Sequence, residues 1–436
     1  MKAAFYTLGC KVNQYETEAM TELFRKSGYE IVDFDDYSDV YVINSCTVTG
    51  RSDMKTRQAI RKARKLNIDS IIAVVGCYAQ IAPEEVLEIP EVNLVIGSKG
   101  KGQIVELIDR LKKLKINKLN AVHDILKDKN YEELEISTQI EHTRAYLKIQ
   151  DGCNQFCTYC IIPYARGTVR SRKLNNIIDE VKRLSHMGYK EVVLTGIHVA
   201  SYGQDLGDVG LLDVIKRVHE VKGIERIRMS SIEPTFLTED FIKEVSQLRK
   251  FCRHYHVSLQ SGCDQTLKRM GRRYTTENYR EIIERIRKNI VDVAITTDVI
   301  VGFPGETNQE FEETYIFLKD IAFSKIHVFK FSKRRGTKAY NYPNQISNAV
   351  KTSRSKRVIE LSEQCEIDFY KRFIGRKMDV LFEQNVKGMD GFIEGYTDNY
   401  IRVAVPGDIR FKNCIIPTTL KEIKKDMVIG EIVEGK

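Results

Sequence analysis

Six of the ten cysteines stand in two arrangements that thiol chemistry can use. "DGCNQFCTYC" sets Cys153, Cys157 and Cys160 at C-x3-C-x2-C. Three closely spaced thiolates can hold three irons of a cubane cluster, where a ferredoxin run supplies four cysteines. No fourth cysteine follows nearby, so one iron is left open to another ligand. A zinc site would show two separated pairs or added histidines at characteristic spacing. The other three cysteines are dispersed. Cys10, Cys46 and Cys77 each close an apolar β-type run: "AAFYTLGC", "VYVINSC" and "IIAVVGC". One such cysteine reads as a small buried hydrophobe. Three at the same place relative to a strand read as a metal site, and soft thiolates select zinc or iron–sulfur clusters.

The elements that must position these thiols alternate. "AAFYTL", "YEIVDF", "VYVIN", "IIAVV" and "NLVIG" read as strands. Helical patterns run from about Gln14 to Lys26, with Gly28 as a stop, and from Arg51 to Leu66. Such alternation argues for a parallel sheet covered on both faces. The carboxyl ends of its strands lie along one edge, where ligands bind, and this brings Cys10, Cys46 and Cys77 together. From Lys112 to Arg144 the chain is charge-rich and reads as a linker.

A second alternating region follows, with strands "AYLKIQ", "EVVLTG", "ERIRMSS", "YHVSLQ", "AITTDVIVG" and "KIHVFKF". Six βα units, where a closed barrel has eight, predict an open partial (β/α)6 barrel with a lateral mouth. A doubly wound open sheet is the alternative. After about Tyr370 come short strands separated by Gly- and Asp-containing turns, a small all-β barrel or sandwich. The expected fold class is therefore α/β with a C-terminal all-β module, divided at 1–112, 113–140 (linker), 141–370 and 371–436.

A length of 436 residues exceeds one ordinary core. No uncharged apolar run approaches the roughly 20 residues that span a bilayer, and the N-terminus lacks a leader's apolar core. A cytoplasmic protein without a membrane partner is expected, in which clustered cysteines bind metal before they pair. The net charge of +9 suggests a polyanionic partner. "RSDMKTRQAIRKARK", "KTSRSKR" and "KRFIGRK" are candidate phosphate contacts or solvated faces.

"TLGCKVNQYETEA", "INSCTVT", "VVGCYAQ" and "CTYCIIPYARG" together resemble the radical S-adenosylmethionine methylthiotransferase family. Within it, "GCKVNQYE" is most similar to the branch acting on N6-threonylcarbamoyladenosine in tRNA. The resemblance spans nearly the whole chain and implies two [4Fe-4S] clusters. Cys153, Cys157 and Cys160 would be the catalytic set, binding the cluster whose open iron chelates S-adenosylmethionine; its reduction yields a 5′-deoxyadenosyl radical. Cys10, Cys46 and Cys77 would hold an auxiliary cluster carrying the sulfur that is methylated and inserted at C2 of adenosine. The resemblance further implies an anticodon stem-loop substrate modified at position 37, an electron donor such as flavodoxin or ferredoxin, and a terminal TRAM RNA-binding barrel. An adenosine inside a barrel must be splayed out of its loop. The alternatives are methylthiolation of N6-isopentenyladenosine or of a ribosomal protein side chain, and a non-enzymatic iron–sulfur electron-transfer protein.

Other barrel strands end in polar groups, where a barrel builds its site. Gly196 would admit the methionine moiety, and Ser231 with Glu233 would bind amino or ribose groups. Gln260 completes the cofactor-binding candidates, with Thr195, Ser230 and Ser261 beside them; helix capping is the plainer role for such residues. "VGFPGET" reads as a turn, and "RRGTKAY" as a substrate contact or a solvated loop. Cys252, Cys263, Cys365 and Cys414 show no ligand spacing. His198 and the other histidines are assigned to structure or surface.

Overall fold

The first sheet is built from β1 (Lys2–Thr7), β2 (Glu30–Val32), β3 (Val40–Ser45), β4 (Ile71–Gly76), β5 (Leu94–Ile96) and β6 (Leu119–Asn120). All are parallel, in the order β2-β1-β3-β4-β5-β6. The computed structural model describes residues 1–134, 136 and 143–433. Strand β3 is buried at every position because both faces are covered. Val40 and Val42 pack with Met20 and Phe24 of α1 (Lys11–Lys26) and with Ile104 and Ile108. Tyr41 and Ile43 point the other way, onto Ala59, Ile60 and Ala63 of α2 (Gly50–Leu66). The period-2 alternation of strand side chains divides the two cores. The strand order reverses between β1 and β3, which opens a crevice at their carboxyl ends.

Strand β6 carries this sheet past the boundary expected at residue 112. The charge-rich segment after it is packed, although it holds little regular structure. Tyr131 Oη donates to Lys148 O (2.7 Å), and Glu132 Oε1 accepts from Gly100 N and Gly102 N (3.0 and 3.1 Å). Leu134 and Ile136 are buried with Tyr15 and Ala19 of α1. Residues 135 and 137–140 of the expected linker lie outside the described residues.

The second unit contains β7 (Arg144–Asp151), β8 (Arg170–Ser171), β9 (Glu191–Gly196), β10 (Arg226–Met229), β11 (His254–His256), β12 (Ala294–Val301) and β13 (Lys325–Lys330). Strands β7, β9 and β10 pair in parallel, as do β11, β12 and β13. Parallel bridges Ile227↔Phe251 and Ile232↔Val257 join the two sets. The six parallel strands form the expected partial barrel. The short β8, which the sequence did not announce, pairs antiparallel with the free edge of β7.

A helix of 24 residues, Asn348–Lys371, crosses from this barrel to the third unit. There β14 (Lys377–Asn385), β15 (Phe392–Thr397), β16 (Arg402–Pro406), β17 (Ile415–Lys424) and β18 (Met427–Ile432) close into a barrel around Phe382, Ile393, Val403, Leu420 and Val428. Closure leaves no strand edge unpaired, which decides between barrel and sandwich. Among the described residues, no helix is long and apolar enough to cross a membrane.

Candidate active site

Each dispersed cysteine sits just past a strand of the first sheet. Cys10 is the N-cap residue of α1, Cys46 follows β3, and Cys77 opens the short helix α3 (Cys77–Ile81). The approach of these loops depends on glycine. Gly9 adopts φ +106°, and a Cβ there would stand 2.9 Å from Cys46 Sγ. Gly76 adopts φ +94°, and its Cβ would meet Asn44 Oδ1 at 2.6 Å. Asparagines tie the loops: Asn13 Nδ2 donates to Leu8 O (2.7 Å) and Ser45 O (3.0 Å), and Asn44 Nδ2 donates to Asn13 O (2.9 Å). Burial pushes the Cys46 thiol up to about 11, with Cys77 and Cys10 adding to the effect. Cys10 is also raised, although Arg166 opposes the rise. Cys10 is nonetheless exposed, where it lines a cavity.

The second set lies on the loop after β7. Gly152 turns this loop with φ +75°, where a Cβ would clash with Thr168 O at 1.8 Å. Thr158 anchors it through its N–H to Met270 O (3.0 Å) and its hydroxyl to Arg269 O (2.8 Å). Burial, aided by the neighbouring Cys157, pushes Cys153 up to about 11 and Cys160 up to about 12. Arg272 Nη1 donates to Cys157 Sγ (3.4 Å). Among the described residues, no three His, Cys, Asp or Glu side chains converge on a point for a single ion.

One buried arginine links the two sets. Arg166, six residues after Cys160, donates from Nε to Cys77 Sγ (3.2 Å). Its other nitrogens donate to Glu16 and Asn13 of α1. Glu16 also receives Lys148 (2.7 Å) and Lys101 (3.1 Å), all of them fully buried. Asp151 takes Lys148 (2.6 Å), Arg166 (3.5 Å) and Arg170 (3.8 Å). Burial alone would raise the Glu16 carboxyl, but Arg166, Lys101 and Lys148 hold it well below its usual range. Four cations thus share two carboxylates, and buried charges of this kind must be balanced. A thiolate-bound iron–sulfur group beside Cys77 would supply negative charge there, and donors to sulfur would suit it. By donor chemistry, Cys10, Cys46 and Cys77 fit such a group, as do Cys153, Cys157 and Cys160 beside Arg272.

Beside Cys10 lies a cavity of about 710 Å³. Gly9, Cys10 and Lys11 line it from the first sheet, Gly196, Ser231, His254, His256 and Asp298 from the open barrel, and Tyr396, Tyr400 and Arg402 from the closed barrel. Tyr400 stacks between His254 (4.5 Å) and Tyr396 (4.8 Å). Burial would raise its hydroxyl, yet Arg144, Lys11 and Arg228 together hold it below its ordinary value.

Of the strand-end candidates, Thr195, Gly196, Ser230 and Ser231 line this cavity. At Gly196 a Cβ would stand 2.9 Å from Gln150 Oε1, which accepts from His198 N (2.8 Å). Its missing side chain thus lets the ends of β7 and β9 meet. Glu233 turns instead toward the second thiol set: its Oε2 pairs with Arg272 Nη2 at 2.7 Å. Gln260 is held by its backbone, at φ +73°, with N–H to Asp298 O (2.8 Å). His198 bonds Ser201 Oγ (2.6 Å) and stands 4.0 Å from Glu233; burial lowers it to about 4, so it is neutral.

Several basic residues are committed elsewhere. Lys351 and Arg354 of "KTSRSKR" are buried, on Phe331 O (3.0 Å) and Glu306 (2.6 Å). Arg334 of "RRGTKAY" pairs with Asp53 of α2 (2.6 Å) and so ties the Cys46 loop to the open barrel. "VGFPGET" is a turn, closed by Gly302 N donating to Glu306 Oε2 (2.7 Å). Glu16, Arg166 and Arg272, all without a role on spacing alone, prove central. Glu16 and Arg166 stand inside the quoted cysteine motifs, which is the one signal that could have marked them.

An open barrel with its thiol loop after the first strand defines the chain as a radical S-adenosylmethionine enzyme, and the Radical SAM superfamily profile matches residues 147–318. Residues 2–97 match a family described as uncharacterized, UPF0004. The radical S-adenosylmethionine methyltransferase TsrM of Kitasatospora setae, solved with cobalamin and a [4Fe-4S] cluster, shares the fold: TM-score 0.59, 14% identity, 78% of this chain and 77% of that one. The threonylcarbamoyladenosine tRNA methylthiotransferase MtaB of Bacillus subtilis is 44% identical over 93% of this chain and 90% of its own. MtaB of Aquifex aeolicus is 39% identical over 92% and 98%. A tRNA-2-methylthio-N(6)-dimethylallyladenosine synthase of Thermoanaerobacter pseudethanolicus is 35% identical over 98% and 92%. The chain belongs to the tRNA methylthiotransferase family of radical S-adenosylmethionine enzymes. Membership implies S-adenosylmethionine and a [4Fe-4S] cluster as cofactors.

Proposed function

We propose that this enzyme places a methylthio group at C2 of N6-threonylcarbamoyladenosine at position 37 of a tRNA anticodon loop, giving 2-methylthio-N6-threonylcarbamoyladenosine. Residues 1–112 carry the auxiliary cluster on Cys10, Cys46 and Cys77. Residues 141–370 carry the catalytic cluster on Cys153, Cys157 and Cys160, with S-adenosylmethionine near Gly196, Ser231, Glu233 and Gln260. Residues 371–436 form the RNA-binding barrel, and a flavodoxin- or ferredoxin-like protein donates electrons. When bound, the clusters supply an electron that cleaves S-adenosylmethionine at one site and a sulfur at the other.

The chain's own residues set the stage for that chemistry. Arg166 and Arg272 donate N–H to the sulfurs of Cys77 and Cys157 and so orient them. Glu16, clamped by three cations, fixes α1 and therefore Cys10 against the barrel. The observation that carries this reading is that Cys10 and the strand ends Gly196 and Ser231 face one cavity. The test is mass spectrometry of tRNA nucleosides from cells with and without the gene. Loss of 2-methylthio-N6-threonylcarbamoyladenosine is expected. Unchanged nucleosides, in cells without a redundant enzyme, would overturn it.

A further inference from the structure

Three cationic and three carboxylate side chains line the cavity, but they are not all engaged with one another. Its Lys and Arg side chains are Lys11, Lys325 and Arg402. Lys325 pairs with Glu366 at 2.7 Å. Arg402 pairs with Glu394 and Asp426. Asp298, also in the wall, pairs with His256 at 3.1 Å. Among the described residues no carboxylate forms an ion pair with Lys11; its Nζ stands 5.9 Å from the ring centroid of Tyr146, and its charge also acts on the Tyr400 hydroxyl. The guanidinium groups close by, Arg144 and Arg228, are themselves held by Glu383 and Glu191, each at 2.7 Å. Lys11 is therefore the one cation of the cavity wall that forms no ion pair among the described residues, which leaves it available to an incoming anion.

Its position narrows what that anion is. Lys11 follows Cys10 directly, so it stands on the sulfur-bearing side of the cavity. On a purine, C2 and C6 flank N1 along one edge. An adenosine that offers C2 to a sulfur beside Cys10 swings its N6 substituent along the same wall. The threonylcarbamoyl group ends in a carboxylate, whereas a dimethylallyl group is apolar. We propose that Lys11 is the specificity-determining residue that pairs with the carboxylate of the N6-threonylcarbamoyl group and so selects the acid-bearing adenosine. This rests on the function proposed above and names the residue that enforces it.

The test uses the full-length, iron-reconstituted protein and three anticodon stem-loop RNAs. These carry N6-threonylcarbamoyladenosine, its carboxyl methyl ester, or plain adenosine at the target position. Wild type should bind the acid about tenfold more tightly than the ester, the scale of one charge-assisted contact. Lys11→Met should bring the acid-to-ester ratio close to one, and Lys11→Arg should restore it; iron content and circular dichroism verify that each variant is loaded and folded. A wild type that binds acid and ester alike overturns the proposal without any variant. So does Lys11→Met with its ratio intact, or with all three RNAs weakened equally, which is the mark of a phosphate contact. Methylthiolation of the acid RNA by wild type is scored in parallel. If it proceeds while the ratio is flat, this inference fails and the function stands. If no methylthio product forms, the function fails and takes this inference with it.

Discussion

At the scale of single residues, Glu16 and Arg166 hold the most charge in the least water. Glu16 is fully buried and holds Arg166, Lys101 and Lys148. Removing one member of a buried charge group leaves the others unpaired, at a cost of about 3–5 kcal/mol. Glu16→Gln should lose stability on that order in denaturant titrations. Acid should also act through this residue. Its folded pKa is depressed, so its contribution is complete above the ordinary carboxylate value and disappears as pH falls through the folded one. Wild type should therefore show a steep acid limb below about pH 4.5, and Glu16→Gln a shallower one. Arg166 predicts a split between the two sites. Arg166→Lys keeps the charge but loses the fork that reaches Cys77, Glu16 and Asn13 together. Its reconstituted protein should lose iron from the Cys10 site and keep it at the Cys153 site, as resolved by Mössbauer spectroscopy. Equal loss at both would refute this role.

At the scale of elements, glycines just past strand ends decide whether the thiols can converge. Gly9 and Gly28 both adopt positive φ, but a Cβ on Gly9 would strike Cys46 while one on Gly28 meets nothing within 4 Å. Gly28→Ala should cost only about 1 kcal/mol of backbone strain and leave iron binding unchanged. Gly9→Ala should abolish iron at the first site; retention would show that the loops have slack. The elements themselves were largely legible in the sequence. Strands β1, β3, β4 and the six of the open barrel follow from apolar runs bounded by turns, and their count predicted an incomplete barrel. The short β6 and β8 were not legible, since two residues carry no period. Nor was the burial of Lys351 and Arg354, because a run of cations looks solvated until tertiary partners such as Glu306 are known. The thiol sets were legible from spacing, but the link between them was not: Arg166 and Glu16 are 150 positions apart, and no local pattern connects them.

At the scale of the whole molecule, RNA affinity should come from cations left over after internal pairing. On α2, Arg57 and Lys62 are engaged by Glu85 and Asp35, whereas Arg51, Lys55, Arg61 and Lys65 remain exposed. Reversing Lys55 or Arg61 to Glu should weaken stem-loop binding uniformly across RNA sequences. It should also flatten the salt dependence by about one unit of log–log slope per lost phosphate contact. An unchanged slope would move the RNA path off this helix.

The cavity takes its walls from residues as far apart as Cys10 and Tyr400. On the ribosome, therefore, Cys10 and the other thiols of the first sheet emerge long before the tyrosines that face Cys10 across the cavity. At ordinary elongation rates the interval is on the order of tens of seconds. For that time a nascent chain carries a bare, oxidisable tripod. On the function proposed above, insertion of iron and sulfur there would be a task for the finished polypeptide, and any shortening from the carboxyl end would recreate that vulnerable intermediate permanently.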